Sequence, residues 1–361
     1  MGAQTGIEWT GSTWTPIRAR DKATGKIGWH CEHKSEGCRN CYAEALNLRL
    51  GTGLPFKPGH RDDVELFVDE TMLAAPLRWR KPRPIFVCSM TDLFADFMRD
   101  EWIDRIFAVM ALAPQHTFQV LTKRPSRMRA YLAAPGRAAG VQLEAFPHHA
   151  TAFQNGAAVF GNIAYRDGAW FIPWPLPNVW LGVSVEDQPT ADARVPVLLD
   201  TPAAHRWVSY EPALGPVDWR TWLPATLPAL DHAVSGPRGA CLDAIVSGGE
   251  SGPKARPSHP DWHRQTRDQC AAAGTRYGFK QWGEWREWDH DGPTEEIDND
   301  SDTADAIHAS AIRPGFLTRD GRFFARRDDL PPEVPCRLME RIGKRAAGRT
   351  LDGRTHEDWP G

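Results

Sequence analysis

The chain has 361 residues, 43 Lys and Arg against 46 Asp and Glu, a formal net charge of −3 and 41% hydrophobic residues. This is too long for a disulfide-held miniature and suits one large domain, since α/β barrels pass about 200 residues as a single unit; the charge excludes a histone-like polycation. No apolar window approaches the roughly 18 residues of a membrane span, and Met1–Gly6 carries neither a signal-peptide pattern nor a myristoylation signal, so a cytoplasmic protein is expected.

The first expected element is a strand near Ile7–Pro16. Beyond it, Trp29-His-Cys-Glu-His-Lys-Ser-Glu-Gly-Cys-Arg-Asn-Cys-Tyr-Ala-Glu places Cys31, Cys38 and Cys41 in a C-x6-C-x2-C array. A helix is expected at once after it, with Ala43, Leu46 and Leu50 on one face. Seven cysteines is an odd count, and three crowd into eleven residues. Without an export signal this reads as thiols kept reduced for metal or catalysis, not as disulfides. Cys88, Cys241, Cys270 and Cys336 are scattered, and Cys88 and Cys270 read as small buried hydrophobes.

Six further strands are expected. They run from Pro84 to Asp92, His116 to Lys123, Asn178 to Glu186, His205 to Glu211, Ala244 to Glu250 and Tyr277 to Glu284. Each is short, rich in β-branched or aromatic residues and closed by a turn signal. Helical patterns at Asp100–Leu112, Ala191–Leu199 and Trp262–Ala273 lie between them. Strand–helix alternation with nearly continuous apolar strands predicts a parallel sheet, and seven strands predict an α/β fold, a partial or closed TIM-like (β/α) barrel. Functional groups of such a barrel sit at the carboxyl ends of its strands. Here those ends carry Asp92, Lys123, Glu186, Glu211, Glu250 and Lys280, with Ser184 nearby; for each, a solvated turn is the rival reading. Asp92, Lys123, Glu211 and Lys280 are the catalytic candidates.

Residues 133–177, with His148-His149 and Trp170–Trp174, read as an insertion. Residues 286–311, with Asp289, Asp291, Glu295 and Glu296 among their acids, read as a solvated loop. A C-terminal helix is expected over Pro332–Ala347, stopped by Gly348. The organisation is then a barrel over 1–285, with an acidic loop and a helical extension over 286–361.

Two metal groups suit the three cysteines. A structural Zn²⁺ takes four protein ligands, which His30 or His33 would complete. A [4Fe–4S] cluster on three cysteines leaves one iron open. Spacing fits both; a chain with an ample core has less need of structural zinc, which favours the cluster.

The motifs Ile7-Glu-Trp-Thr, Gly37-Cys-Arg-Asn-Cys-Tyr-Ala-Glu, Ser89-Met-Thr-Asp-Leu-Phe, Leu121-Thr-Lys-Arg-Pro, Leu181-Gly-Val-Ser-Val-Glu, Tyr210-Glu-Pro-Ala-Leu-Gly-Pro, Ser247-Gly-Gly-Glu-Ser-Gly and Phe279-Lys-Gln-Trp-Gly run nearly end to end. With them the chain resembles a phage- and bacteria-borne three-cysteine-motif family of unassigned function, whose members look like radical S-adenosylmethionine (SAM) proteins of the spore photoproduct lyase type. The resemblance implies a radical SAM-type barrel, a cluster on Cys31, Cys38 and Cys41, and an electron donor such as flavodoxin or ferredoxin. It also implies SAM bound at the open iron, with Tyr42, Ser184, Glu186 and the Ser247-Gly248-Gly249-Glu250 element at the cofactor, and a 5′-deoxyadenosyl radical as the reactive species. The usual array is C-x3-C-x2-C; here the first gap is six, and Asn40 stands where an apolar residue is usual.

Basic stretches at Arg78–Arg83, Lys123–Arg129 and Lys344–Arg349, with 16 tryptophans, suit nucleic acid. DNA or nucleotide modification or repair is the leading expectation. A metal-stabilised nucleic-acid-binding protein and a hydrolase using the mouth carboxylates are the alternatives.

Overall fold

The computed structural model describes residues 5–142, 144, 164–166, 169–224, 240–288 and 314–359. Its strands are β1 (Ser12–Trp14), β2 (Ile17–Asp21), β3 (Ile27–Gly28), β4 (Val64–Val68), β5 (Pro84–Val87), β6 (Thr117–Thr122), β7 (Ala164–Arg166), β8 (Ala169–Phe171), β9 (Val179–Val185), β10 (His205–Tyr210), β11 (Ala244–Ser247), β12 (Arg276–Phe279), β13 (Trp285–Glu287), β14 (Gly315–Thr318), β15 (Phe323–Phe324) and β16 (Cys336–Arg341). The helices are α1 (Tyr42–Leu50), α2 (Glu70–Leu73), α3 (Ala75–Arg78), α4 (Asp100–Leu112), α5 (Pro125–Leu132), α6 (Gln188–Leu199), α7 (Pro260–Ala273) and α8 (Lys344–Ala347).

The seven expected strands form one parallel sheet in chain order, β1-β5-β6-β9-β10-β11-β12, curled into a half-barrel. Among the described residues β1 does not pair with β12, so the sheet is open. Its near-continuous apolar strands are explained by two buried faces. Outward residues such as Ile85, Phe118, Leu181, Val208 and Ile245 pack with Ile106, Met110, Val195 and Trp262 of the helices in the main core. Inward residues Phe86, Trp180, Trp207, Ala244 and Val246 form a separate cluster with Trp9. Gly182 makes room for it: a Cβ there would meet the Trp207 indole.

The open edge is covered by the end of the chain. Glu357 bridges Gly278 in antiparallel fashion, the Phe279 N–H donates to the His356 carbonyl at 2.9 Å, and Trp359 lies where a Cβ on Gly278 would sit. Lys344 Nζ meets Glu8 at 2.9 Å, tying the two ends together.

Three expectations are corrected. The C-terminal helix over Pro332–Ala347 is strand β16 followed by the single turn α8; Pro332 and Pro335 deny the start of a long helix its ladder. Instead of a helical extension there is a four-stranded antiparallel sheet, β13-β16-β14-β15, which buries Leu338 against Phe316 and Leu330. A small antiparallel sheet, β3-β2-β4, which the sequence reading lacks, precedes and flanks the cysteine segment. Leu50 of α1 does not join Ala43 in the core but is 65% exposed; Asn47 takes the inward position instead. The expected insertion lies between β6 and β9 and includes the β7–β8 hairpin, while His148-His149 and the acids from Asp289 to Asp305 lie outside the described residues. No described helix is long and apolar enough to cross a membrane.

Candidate functional site

A cavity of about 200 Å³, open to solvent, occupies the carboxyl-terminal mouth of the half-barrel. Its floor is apolar: Ile7, Trp9, Phe86 and Leu121. Its wall carries Ser184, Ser209, Glu211 and Lys280. The segment with Cys31, Cys38 and Cys41 forms its roof.

All three thiols are free and line this one cavity. Cys31 follows β3, Cys38 ends a single 3-10 turn, and Cys41 is the N-cap of α1. Burial, helped by the charges of Asp92 and Cys41, pushes the Cys31 thiol up to about 12, and burial also raises Cys41. Desolvated thiols held near each other resist ionising alone, and a cation is what would stabilise them as thiolates. Neither histidine offered for zinc forms a group of three possible ligands with them among the described residues. His30 is 3% exposed with its ring on Phe97, and His33 Nε2 lies 2.8 Å from Glu44 Oε2. Among the described residues no three His, Cys, Asp or Glu side chains are gathered around a single ion position.

Most expected mouth residues anchor the cysteine segment. Asp92 accepts from Thr122 Oγ1 at 2.7 Å, from the Lys123 and Phe94 backbone N–H groups at 3.0 Å, and from Arg124 Nη1 at 3.1 Å. Arg124 then donates through Nη2 to the Glu32 carbonyl, beside Cys31, at 3.2 Å. Glu186 is 1% exposed and accepts from Ser35 Oγ at 2.8 Å, with Arg194 at 3.0 Å and Lys123 at 3.3 Å. Burial pushes the Glu186 carboxyl up, but Lys123, Arg194 and Ser35 outweigh it and hold it below the usual carboxylate range. Gly37 packs flat on Glu186, and a Cβ would collide with the carboxylate. Glu250 accepts from Arg256 Nη2 at 2.7 Å and from Asn40 Nδ2 at 3.0 Å; Arg256 also bonds the Glu36 carbonyl at 3.0 Å. Burial raises Glu250 while Arg256 and Asn40 bring it below its ordinary value. Tyr42, 49% exposed at the rim, donates to the Ser89 carbonyl at 2.8 Å.

The remaining expected residues divide. Ser247 faces the helix layer, 2.8 Å from the Tyr277 hydroxyl and 3.1 Å from His263 Nδ1, and does not line the cavity. Gly249 is a close approach of backbones: a Cβ there would strike the Trp282 carbonyl. Gly248 separates Glu211 and Lys280, and its missing side chain leaves the gap over which Lys280 Nζ reaches Glu211 Oε1 at 2.6 Å. Ser184 faces the cavity. Cys88 is buried as expected, but it lines the cavity too and adopts φ +56°.

Sequence reasoning missed Ser35, Asn40, Arg124, Ser209 and Arg256. Asn40 stood out only as a departure from an apolar position; its partner Glu250 is 210 residues away. Ser209 is legible in hindsight, because it alternates with Trp207 and Glu211 on the inward side of β10.

A family profile described as "Protein of unknown function (DUF5131)" matches residues 4–360. No curated protein and no solved structure matches the chain.

Proposed function

The chain belongs to the DUF5131 family, whose description names no activity, and we propose from the site that it is an iron–sulfur enzyme of the radical SAM kind acting on DNA or nucleotides. The observation that carries this reading is the placing of Cys31, Cys38 and Cys41 on the roof of one open cavity at the carboxyl ends of a parallel half-barrel. What supports the group is the chemistry of the donors: three free thiols on one short segment, with an open space below them. Cys31, Cys38 and Cys41 would hold a [4Fe–4S] cluster, which when reduced supplies the electron that SAM chemistry requires.

The chain's own residues do three things. Arg124, Glu186 and the Glu250–Arg256 pair fix the cysteine segment at Glu32, Ser35 and Asn40, so that the ligands are pre-set rather than ordered on binding. Trp9 and Phe86 seal the floor and exclude water from below. Ser184, Ser209, Glu211 and Lys280 present polar groups to whatever enters.

Support for nucleic acid comes from the exposed Lys34, Arg39, Tyr42 and Lys254, of which Arg39 also meets Glu36 at 3.6 Å. The basic stretches contribute less than their composition suggests, since Arg127, Arg129 and Lys344 pair with Asp100, Asp200 and Glu8. Anaerobic purification tests the proposal. A brown protein with about four irons and four sulfides per chain, whose reduced paramagnetic spectrum changes on adding SAM, is expected. A colourless protein with one zinc, or a cluster indifferent to SAM, would overturn it.

A further inference from the structure

Below the cysteine roof, the cavity wall carries a second constellation that the metal reading does not use. Glu211, closing β10, and Lys280, closing β12, pair at 2.6 Å across Gly248 of the intervening strand. Their side chains are 18% and 12% exposed, so the pair is largely out of water yet open to the cavity. Glu211 Oε1 accepts from Lys280 and, at 3.4 Å, from Gln281 Nε2. This leaves Oε2 and two ammonium protons without a described partner. Next to them, Ser184 and Ser209 are register neighbours on β9 and β10. They are 4% and 3% exposed, line the cavity, and have no described hydrogen-bond partner for their hydroxyls.

The charge balance narrows what such a wall takes. The cavity's described lining holds three cations, Lys123, Arg124 and Lys280, against four carboxylates, Glu32, Asp92, Glu211 and Glu250. Lys123 and Arg124 are already paired with Glu186 and Asp92. A phosphate would therefore find no cation without a carboxylate of its own, and beside Lys280 it would meet the like charge of Glu211. A ligand carrying one positive and one negative group close together meets the opposite situation. Its ammonium faces Glu211 Oε2, its carboxylate faces Lys280 Nζ and the serine hydroxyls, and no net charge is buried. An apolar side chain would extend over Trp9, Phe86 and Leu121.

We propose that the Glu211–Lys280 pair, with Ser184 and Ser209, is a binding site for an α-amino-acid zwitterion. With a free amino acid as its ligand the site does not depend on the metal reading; with the methionyl end of SAM it rests on that reading. Two sources carry this chemistry, a free amino acid and the methionyl end of SAM, and the experiment separates them.

The test is isothermal titration of the full chain, metal-free and again after iron loading, with L-methionine, L-phenylalanine, N-acetyl-L-methionine, L-methioninamide and uridine monophosphate. The two amino acids are expected to bind, and the two blocked forms and the nucleotide to bind at least tenfold more weakly. Lys280→Met and Glu211→Gln should each lose tenfold or more. Ser209→Ala and Ser184→Ala, which leave the ion pair intact and keep the fold safe, should lose severalfold. SAM binding tighter than 5′-methylthioadenosine assigns the site to the cofactor's methionyl end; equal affinities assign it to a separate amino acid. Blocked forms binding as well as free ones, serine variants without effect, or no amino-acid binding in either metal state would overturn the proposal. Iron and sulfide content, measured on the same samples, judges the cluster separately.

Discussion

Glu186 shows how one side chain is set by several others. Ser35, Lys123 and Arg194 converge on it from three segments, and Gly37 leaves it no room to move. Gly37→Ala pushes a methyl group into that carboxylate, and Glu186→Gln removes its charge. Both are expected to lower iron bound per chain by half or more with little loss of secondary structure, read by metal analysis and circular dichroism on the same sample; unchanged loading would show that the anchor is dispensable. His263 makes a different prediction. It is fully buried between Ser258 and Ser247, and burial first, then His259 and Arg264, push it down to about 3. The folded protein thus keeps it neutral while an unfolded chain would protonate it below its ordinary value of 6.5. Stability from this residue is complete above pH 6.5 and falls by about 1.4 kcal/mol per pH unit as acid is added, until the folded form also titrates. Urea melts between pH 7.5 and 4.5 should show at least that slope, since burial also pushes His30 and His259 down to about 4, and His263→Gln should flatten it by about one proton. Such roles are not written in local sequence: Ser35 and Glu186 are 151 positions apart, and nothing near either announces the other.

At the scale of elements, the strands were the most legible part. Seven short apolar runs with polar ends became seven parallel strands in order, because a strand covered on both faces has to be apolar throughout. The C-terminal segment misled for a physical reason. Cys336–Arg341 mixes charged and apolar residues in a way that suits a helix face as well as a strand, and only its partners β13 and β14 settle the matter. Its Glu340, 4% exposed, is met across the strand pair by the exposed Arg286 at 2.7 Å, which no helical pattern would foresee. The tail on β12 depends on Gly278 in the same contingent way. Gly278→Val is expected to displace Trp359 and destabilise the protein by about 1–3 kcal/mol, read as a lower urea midpoint, with faster tryptic cleavage at Arg354. A midpoint equal to that of the parent would mean that the tail contributes no stability.

For the whole molecule, the sequence placed the cysteines at a barrel mouth but credited the strand-end carboxylates with ligand binding. Asp92, Glu186 and Glu250 hold the roof in place, and Asp92 and Glu250 also line the interior beside Glu211, Lys280, Ser184 and the unforeseen Ser209. The difference follows from desolvation: a buried carboxylate must find cations or N–H groups, and the loops crossing the mouth supply them. Composition could not show this, because it counts charges without saying which are neutralised.

The two ends of the chain meet beneath that interior. Trp9 and Trp359 belong to the same apolar cluster, and Glu8 reaches Lys344. Closing a loop of that length is entropically costly, and nothing repays it before both partners are in place. The closing of the two ends beneath the chamber is therefore expected to come late in folding, after the strands above have docked. A chain that has built its sheet but not yet brought its termini together holds the chemistry of the mouth over an unfinished well.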